Sequence, residues 1–284
     1  MKYCVIVNPK SHGGRAGKNW HAIEPLLPEA EFHVTADMLE ARRLAAETDC
    51  DAVVACGGDG TINAIADGVL ASANPDLKFG VLYMGTSPDF CAFHHIPLDL
   101  GKAVGVLKAG VTKRVPVLQA NGQSFFCSCN LGMGAEVASA ANRLRLWLGD
   151  KPGTLLALLK SLLRSRKYDF ALNGECLLQC NHLLITRMPY IASGLKIALP
   201  RLAEDEYAVW YVQKLSLGKW LALLPKFYRG IPCGTVRVCR GELQIQAEVP
   251  VPYEFDGDPH GALPLQIRFS ERQLNLIVPE TDHA

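Results

Sequence analysis

The sequence predicts an α/β domain with a doubly wound, mostly parallel sheet, followed by a second, mainly antiparallel β-sandwich domain. Three observations lead there. Up to about residue 118, apolar β-branched runs alternate with helix-period segments, the pattern of βαβ units with right-handed crossovers. Beyond it, short strands separated by Gly, Pro and polar turns prevail, as in antiparallel sheets. The 284 residues, 49% of them hydrophobic, suffice for two cores. The expected domains are 1–118 and 119–270, with the closing strand in 271–284 a candidate to return to the first.

Tyr3-Cys4-Val5-Ile6-Val7 reads as a strand buried on both faces, ending in the glycine-rich stretch Asn8-Pro9-Lys10-Ser11-His12-Gly13-Gly14-Arg15. That stretch is not a Walker A loop. Gly13 to Gly17 is one residue too short, and Asn19 stands where Ser or Thr would hold Mg²⁺. A helix is expected over 18–27, a strand over 31–34, a helix over 38–47 and a strand over 52–56. The chain then breaks at Gly57-Gly58-Asp59-Gly60-Thr61-Ile62-Asn63, and Ile62, Ile65, Ala66, Val69 and Leu70 resume at helical spacing. A strand over 79–83 runs into Met84-Gly85-Thr86-Ser87-Pro88-Asp89, and a helix over 98–108 follows. Ligands gather at the carboxyl ends of such parallel strands, so the loops at Asn8, Gly57 and Gly85 are candidates to line one site.

The net charge of +1 argues against a nucleic-acid binder with a broad basic face. Ten scattered cysteines without a Cys-x-x-Cys pair fit reduced, buried thiols in a cytoplasmic protein better than disulfides or zinc. No apolar run approaches the ~18 residues of a membrane span, and the chain opens directly on a strand. The Leu-rich, Lys/Arg-flanked segments at 154–166 and 219–229 either pack on the β domain or touch a membrane surface or partner.

The turn at Gly57 carries the chemistry. Glycines let backbone N–H groups approach an anion, and the following helix directs its positive end at the same place. Asp59 would repel phosphate unless Mg²⁺ lies between them or it takes a proton from an attacking hydroxyl. The plainer alternative is a tight turn with Asp59 capping the helix. Asp256-Gly257-Asp258 likewise is either a pair of working carboxylates or a simple Asp-Gly hairpin turn.

With these loops in this order, the sequence resembles the diacylglycerol kinase catalytic-domain family, the small lipid kinases related to sphingosine kinases and, more distantly, to NAD kinases and phosphofructokinases. The resemblance rests on Asn8-Pro9, Gly57 to Asn63, Gly85-Thr86-Ser87-Pro88-Asp89-Phe90, Asn130-Leu131-Gly132-Met133-Gly134-Ala135, Ser193 to Ala198 and Asp256-Gly257-Asp258. It implies an ATP–Mg²⁺ cleft and transfer of the γ-phosphoryl group to a lipid hydroxyl at a membrane surface. By motif, Asn8, Thr35, Gly57, Gly58, Asp59, Gly60, Thr61, Asn63, Gly85 and Thr86 would surround the nucleotide. Asp256, or its neighbour Asp258, would be the base, with Asp59 at Mg²⁺ or sharing that role.

Three departures stand out. Pro88 replaces the family's asparagine, Asp258 replaces a glutamate, and the loop 200–207 lacks the glycine of the family's Asp-Asp-Gly beside a structural Mg²⁺. Asp205 and Glu206 are the ligands the resemblance offers there. The rival readings are a homologue that binds nucleotide or lipid without turnover, and an NAD kinase; the oligomeric state, a homodimer included, stays open.

Overall fold

The computed structural model describes the chain apart from residues 149–152, 154–155, 158–159, 162, 164–165, 192–194, 214 and 281–284. Two units emerge, Met1–Val117 with Ser270–Ala284, and Leu118–Phe269.

In the first unit, strands β1 (Tyr3–Val7), β2 (Ala30–Val34), β3 (Ala52–Gly57), β4 (Lys78–Tyr83) and β5 (Thr112–Val115) form a sheet with the chain's last strand, Leu274–Ile277. Its order is β2-β1-β3-β4, the last strand, then β5. All pairs are parallel except the last strand with β5. Every residue of β1 and β3 is buried, which is why these runs are uniformly apolar rather than alternating. Helices α1 (Ser11–Asn19), α2 (Met38–Glu47), α3 (Asp59–Ala71), α4 (Asp89–Phe93) and α5 (Leu100–Ala109) follow the strands. Asp37 and Asp99 cap α2 and α5, their carboxylates accepting from the N–H groups of Glu40 and Lys102, both at 2.9 Å. Arg272 ties the returning strand to the end of α3. Its guanidinium donates to the carbonyls of Leu70 (2.9 Å), Ser72 and Asn74 (2.9 Å), groups the helix end leaves unpaired.

One expected helix falls elsewhere. The structure starts α1 at Ser11 and reduces the end of 18–27 to short 3₁₀ turns at Trp20–Ala22 and Glu24–Leu26. Glycines are poor helix formers and gave no periodic signal. The segment is held by its backbone instead, with Gly17 N–H donating to the Pro9 carbonyl at 3.2 Å. A Cβ on Gly17 would lie 2.9 Å from that oxygen, so only glycine fits.

Among the described residues, the second unit is built on an antiparallel sheet of eleven strands. In chain order they are β6 (Leu118–Ala120), β7 (Gln123–Phe125), β8 (Ser128–Gly132), β9 (Tyr168–Leu172), β10 (Glu175–Thr186), and, after the separate small hairpin of β11 (Tyr190–Ile191) and β12 (Leu195–Lys196), β13 (Glu206–Gln213), β14 (Thr235–Arg240), β15 (Leu243–Gln246), β16 (Pro252–Phe255), β17 (Asp258–Ala262) and β18 (Leu265–Phe269). The long strand β10 organises them. Its first half pairs with β9 and its second half with β8 and β13, the register shifting between Cys180 and His182. Such a bulge lets one strand serve two sheet faces. Phe170, Leu183, Ile185, Tyr207, Val209, Ile245 and Ile267 fill the core so enclosed. Helices α6 (Met133–Leu148) and α7 (Leu217–Tyr228) complete the unit. Most of the expected Leu-rich helix at 154–166 lies outside the described residues, as do Ser193 and Gly194.

Candidate active site

In the first unit the loops after β1, β3 and β4 converge. Asn8 N–H donates to the Cys56 carbonyl at 3.0 Å, and its side-chain amide donates to Thr61 Oγ1 at 2.9 Å. Ser11 Oγ lies 3.3 Å from Thr61 Oγ1 and accepts from Gly58 N–H at 3.3 Å. Thr35, fully buried, donates through its N–H and its hydroxyl to the Val7 carbonyl. Asn8, Ser11 and Thr61 thus form one hydrogen-bonded knot beneath the glycine turn.

The turn is close-packed. Met84 N–H donates to the Gly57 carbonyl at 2.7 Å, fastening the loop after β4 to the loop after β3. A Cβ on Gly57 would lie 2.5 Å from Thr61 Oγ1, and one on Gly85 would lie 2.6 Å from Gly58 Cα. Gly58, extended, stands before the first turn of α3 and provides no side-chain cap. Asp59 is therefore not the helix cap that the plainer reading expected. Its carboxylate, at the positive end of α3, accepts from Tyr83 Oη at 3.1 Å. Burial, then the Asp59 charge, push the Tyr83 phenol far above its ordinary value, so it stays a donor throughout the neutral range. Gly60 and Asn63 are half-buried beside the turn, and Thr86 is exposed.

In the second unit, Asp256 and Gly257 form the two-residue turn between β16 and β17, with φ of +54° and +93°. The two positive values are those of the primed hairpin turns that Asp-Gly favours, so the hairpin reading of this dipeptide holds geometrically. The Asp256 side chain does more. It accepts from the N–H groups of Phe126 (2.7 Å), Cys127 (2.8 Å) and Ser128 (2.8 Å). Burial pushes its carboxyl up to about 6, against the downward pull of those three donors. Asp258 is exposed as a residue, but the neighbours around its carboxyl desolvate it and raise it, with the His260 charge pulling the other way.

A buried polar chain behind this turn escaped sequence reasoning. Glu254 accepts from Gly257 N–H at 2.7 Å and from the Asn130 amide, whose oxygen meets His182 Nε2 at 3.0 Å. The only sequence signal was alternation, which sets Glu254 on the face of β16 opposite Tyr253 and Phe255. Burial raises the Glu254 carboxyl from 4.5 to about 8 and lowers His182 to about 4, so at neutral pH the first carries a proton and the second is uncharged. A folded-state value above the unfolded one means that the folded protein binds the extra proton in that interval. The contribution is complete below 4.5 and lost as pH rises through about 8. Melting temperature is accordingly expected to fall as pH rises from neutral to about 8 and to level off above it, and Glu254→Gln, permanently neutral, to flatten the slope; an unaltered slope would place the titration elsewhere.

Asp205 and Glu206 do not sit in an open carboxylate cluster. Glu206 accepts from Arg240 at 2.6 Å and from Ala203 N–H at 2.8 Å, and Asp205 lies 3.6 Å from Arg240. Among the described residues no three His, Cys, Asp or Glu side chains group closely enough to hold a metal. None of the described helices is long and apolar enough to cross a membrane.

Glycine turns meeting at the carboxyl ends of parallel strands are of the kind that let backbone N–H groups approach phosphates closely. The chain matches the diacylglycerol kinase catalytic domain over residues 2–120 and the YegS C-terminal NAD kinase beta sandwich-like domain over residues 127–278. It is 25% identical over 297 residues to a diacylglycerol kinase of Bacillus subtilis, covering 97% of this chain and 96% of that one. It is also 25% identical over 256 residues to a diacylglycerol kinase of Staphylococcus epidermidis, covering 85% and 78%. A solved structure described as a diacylglycerol kinase from Bacillus anthracis shares the fold, with a TM-score of 0.79, 20% identity and coverage of 98% and 97%. The protein belongs to the diacylglycerol kinase catalytic-domain family, and it is a kinase. ATP is the substrate that family implies.

Proposed function

We propose that this kinase transfers the γ-phosphoryl group of ATP to the hydroxyl of a lipid presented at a membrane surface. The observation that carries the reading is the contact of the Gly58 and Gly85 backbones beside Asp59, a place with no room for side chains. Backbone free of side chains suits the close approach of phosphates. On this reading Asn8 and Thr61 brace the turn, Gly57, Gly58, Gly60, Gly85 and Thr86 face the phosphates, and Thr35 and Asn63 border the nucleotide.

Asp59 suits a divalent cation shared with the nucleotide. Mg²⁺ is usually held by one or two carboxylates plus substrate phosphates rather than by a protein cage, and one carboxylate at a glycine turn, with no larger cluster among the described residues, is that donor set. The Mg²⁺ would neutralise charge on the phosphates. Asp256 is the base that receives the hydroxyl proton. Three backbone donors fix its carboxylate, and a value near 6 leaves it ionised at pH 7 yet basic enough to accept a proton. Asp258, exposed two residues on, is the second candidate.

The test is incubation with γ-labelled ATP and Mg²⁺ on micelles containing diacylglycerol, monoacylglycerol, phosphatidylglycerol or a long-chain polyol, with NAD as a parallel acceptor. Label is expected in a lipid product. Label on NAD would make the chain an NAD kinase, and bound ATP without transfer to any acceptor would make it a binding protein.

A further inference from the structure

We propose that the guanidinium of Arg187 takes the place of a structural metal ion in the second unit, closing the loop 200–206 without any divalent cation. Arg187 follows β10 directly. Its Nη1 points at three backbone carbonyls of one loop, those of Ala203 (3.2 Å), Glu204 (3.0 Å) and Glu206. Convergence of several backbone carbonyls on one positive centre is the arrangement that a hard cation ordinarily organises. Here the positive centre is covalently part of the chain.

The carboxylates that a metal would need are committed to another cation. Glu206 Oε1 accepts from Arg240 Nε at 3.1 Å and Nη2 at 2.6 Å, and Glu206 Oε2 accepts from Ala203 N–H at 2.8 Å. Asp205 also faces Arg240, at 3.6 Å. Two arginines thus share the loop: Arg187 takes the carbonyls, Arg240 the carboxylates. A divalent ion entering beside Arg187 would meet a fixed positive charge and lose its oxygens to it, since arginine stays protonated under ordinary conditions. The residues of this loop therefore do not fit the structural Mg²⁺ that the family resemblance implies.

Arg187 is also anchored from behind. Its guanidinium lies over the Phe269 ring, 5.4 Å from the centroid, a contact that a metal ion could not supply and that favours arginine over lysine. The neighbouring Thr186 hydroxyl donates within reach of the Cys127 carbonyl (2.7 Å), and Cys127 N–H is one of the three donors to Asp256. The arginine-closed loop is in this way continuous with the segment that holds the candidate base.

The experiment is thermal unfolding of the full chain without nucleotide, in EDTA and in added Mg²⁺ or Ca²⁺, on the wild type and on Arg187→Met and Arg187→Lys. The wild type is expected to melt at one temperature in all three solutions. Arg187→Met, which keeps much of the apolar stem and loses the donors, is expected to melt about 4 °C lower, whatever the divalent concentration. Arg187→Lys should recover part of the loss through its charge. A wild-type melting temperature that falls in EDTA and returns with Mg²⁺ or Ca²⁺ would overturn the proposal without needing any variant to fold. So would an Arg187→Met protein as stable as the wild type.

Discussion

Asp256→Asn is expected to lower kcat by at least ~10²-fold while leaving the KM for ATP within about twofold, the signature of losing a general base rather than a binding contact. The asparagine oxygen can still accept from two of the three N–H groups at Phe126, Cys127 and Ser128. Its amide nitrogen must then face the third, donor against donor, at a cost of about 1–3 kcal/mol. The melting temperature should drop as well, so kinetics are to be read at a temperature where the variant is folded. Asp258→Asn supplies the contrast. Its side chain is exposed and takes no part in that cradle, so its melting temperature should match the wild type. Wild-type activity should decline as pH falls through about 6, where Asp256 takes up its proton. Full turnover in the Asp256 variant with loss in the Asp258 variant would exchange their roles.

Gly85→Ala is the second large effect. The added Cβ falls 2.5 Å from Tyr83 Oη and 2.6 Å from Gly58 Cα, distances no real contact reaches, and one of the two partners is backbone that cannot rotate away. The loop after β4 must lift, and the hydrogen bond from Tyr83 to Asp59 lifts with it. Nucleotide affinity should weaken at least tenfold, which corresponds to about 1.4 kcal/mol, while the hairpin at Asp256 stays intact. Titration with ATP checks this directly. An unchanged KM would mean that the two turns do not face the phosphates.

The first domain was legible because two of its inner strands, β1 and β3, are buried along their whole length. Five apolar residues at Tyr3–Val7, followed by Asn8, and six residues at Ala52–Gly57, ending in glycine, announce parallel strands with open carboxyl ends. The same rule failed at Ser11–Asn19, where a helix is sustained by backbone contacts with Pro9 and by glycines that carry no hydrophobic stripe. The sequence motif located Asp59 but not Tyr83, whose hydroxyl reaches the carboxylate only because β3 and β4 are neighbours in the sheet. At Asp256, short-range reasoning recognised the hairpin and resemblance suggested the chemistry. Neither could reveal the three donors, which come from residues some 130 positions away. The link between Glu254, Asn130 and His182 was invisible for the same reason: Asn130 stood only as the start of a glycine motif, and Glu254 and His182 look like isolated polar residues until β8, β10 and β16 are laid side by side.

The most direct measurement is the rate of phosphoryl transfer from ATP to micellar diacylglycerol by the wild type and by Asp59→Asn, at equal protein and saturating lipid. Labelled lipid from the wild type, reduced roughly 10²–10³-fold in the variant as expected when one preorganised charge at a transferring phosphoryl group is removed, is the predicted result. Equal label from both proteins would contradict the assignment of the glycine turn as the place where the phosphoryl group is held.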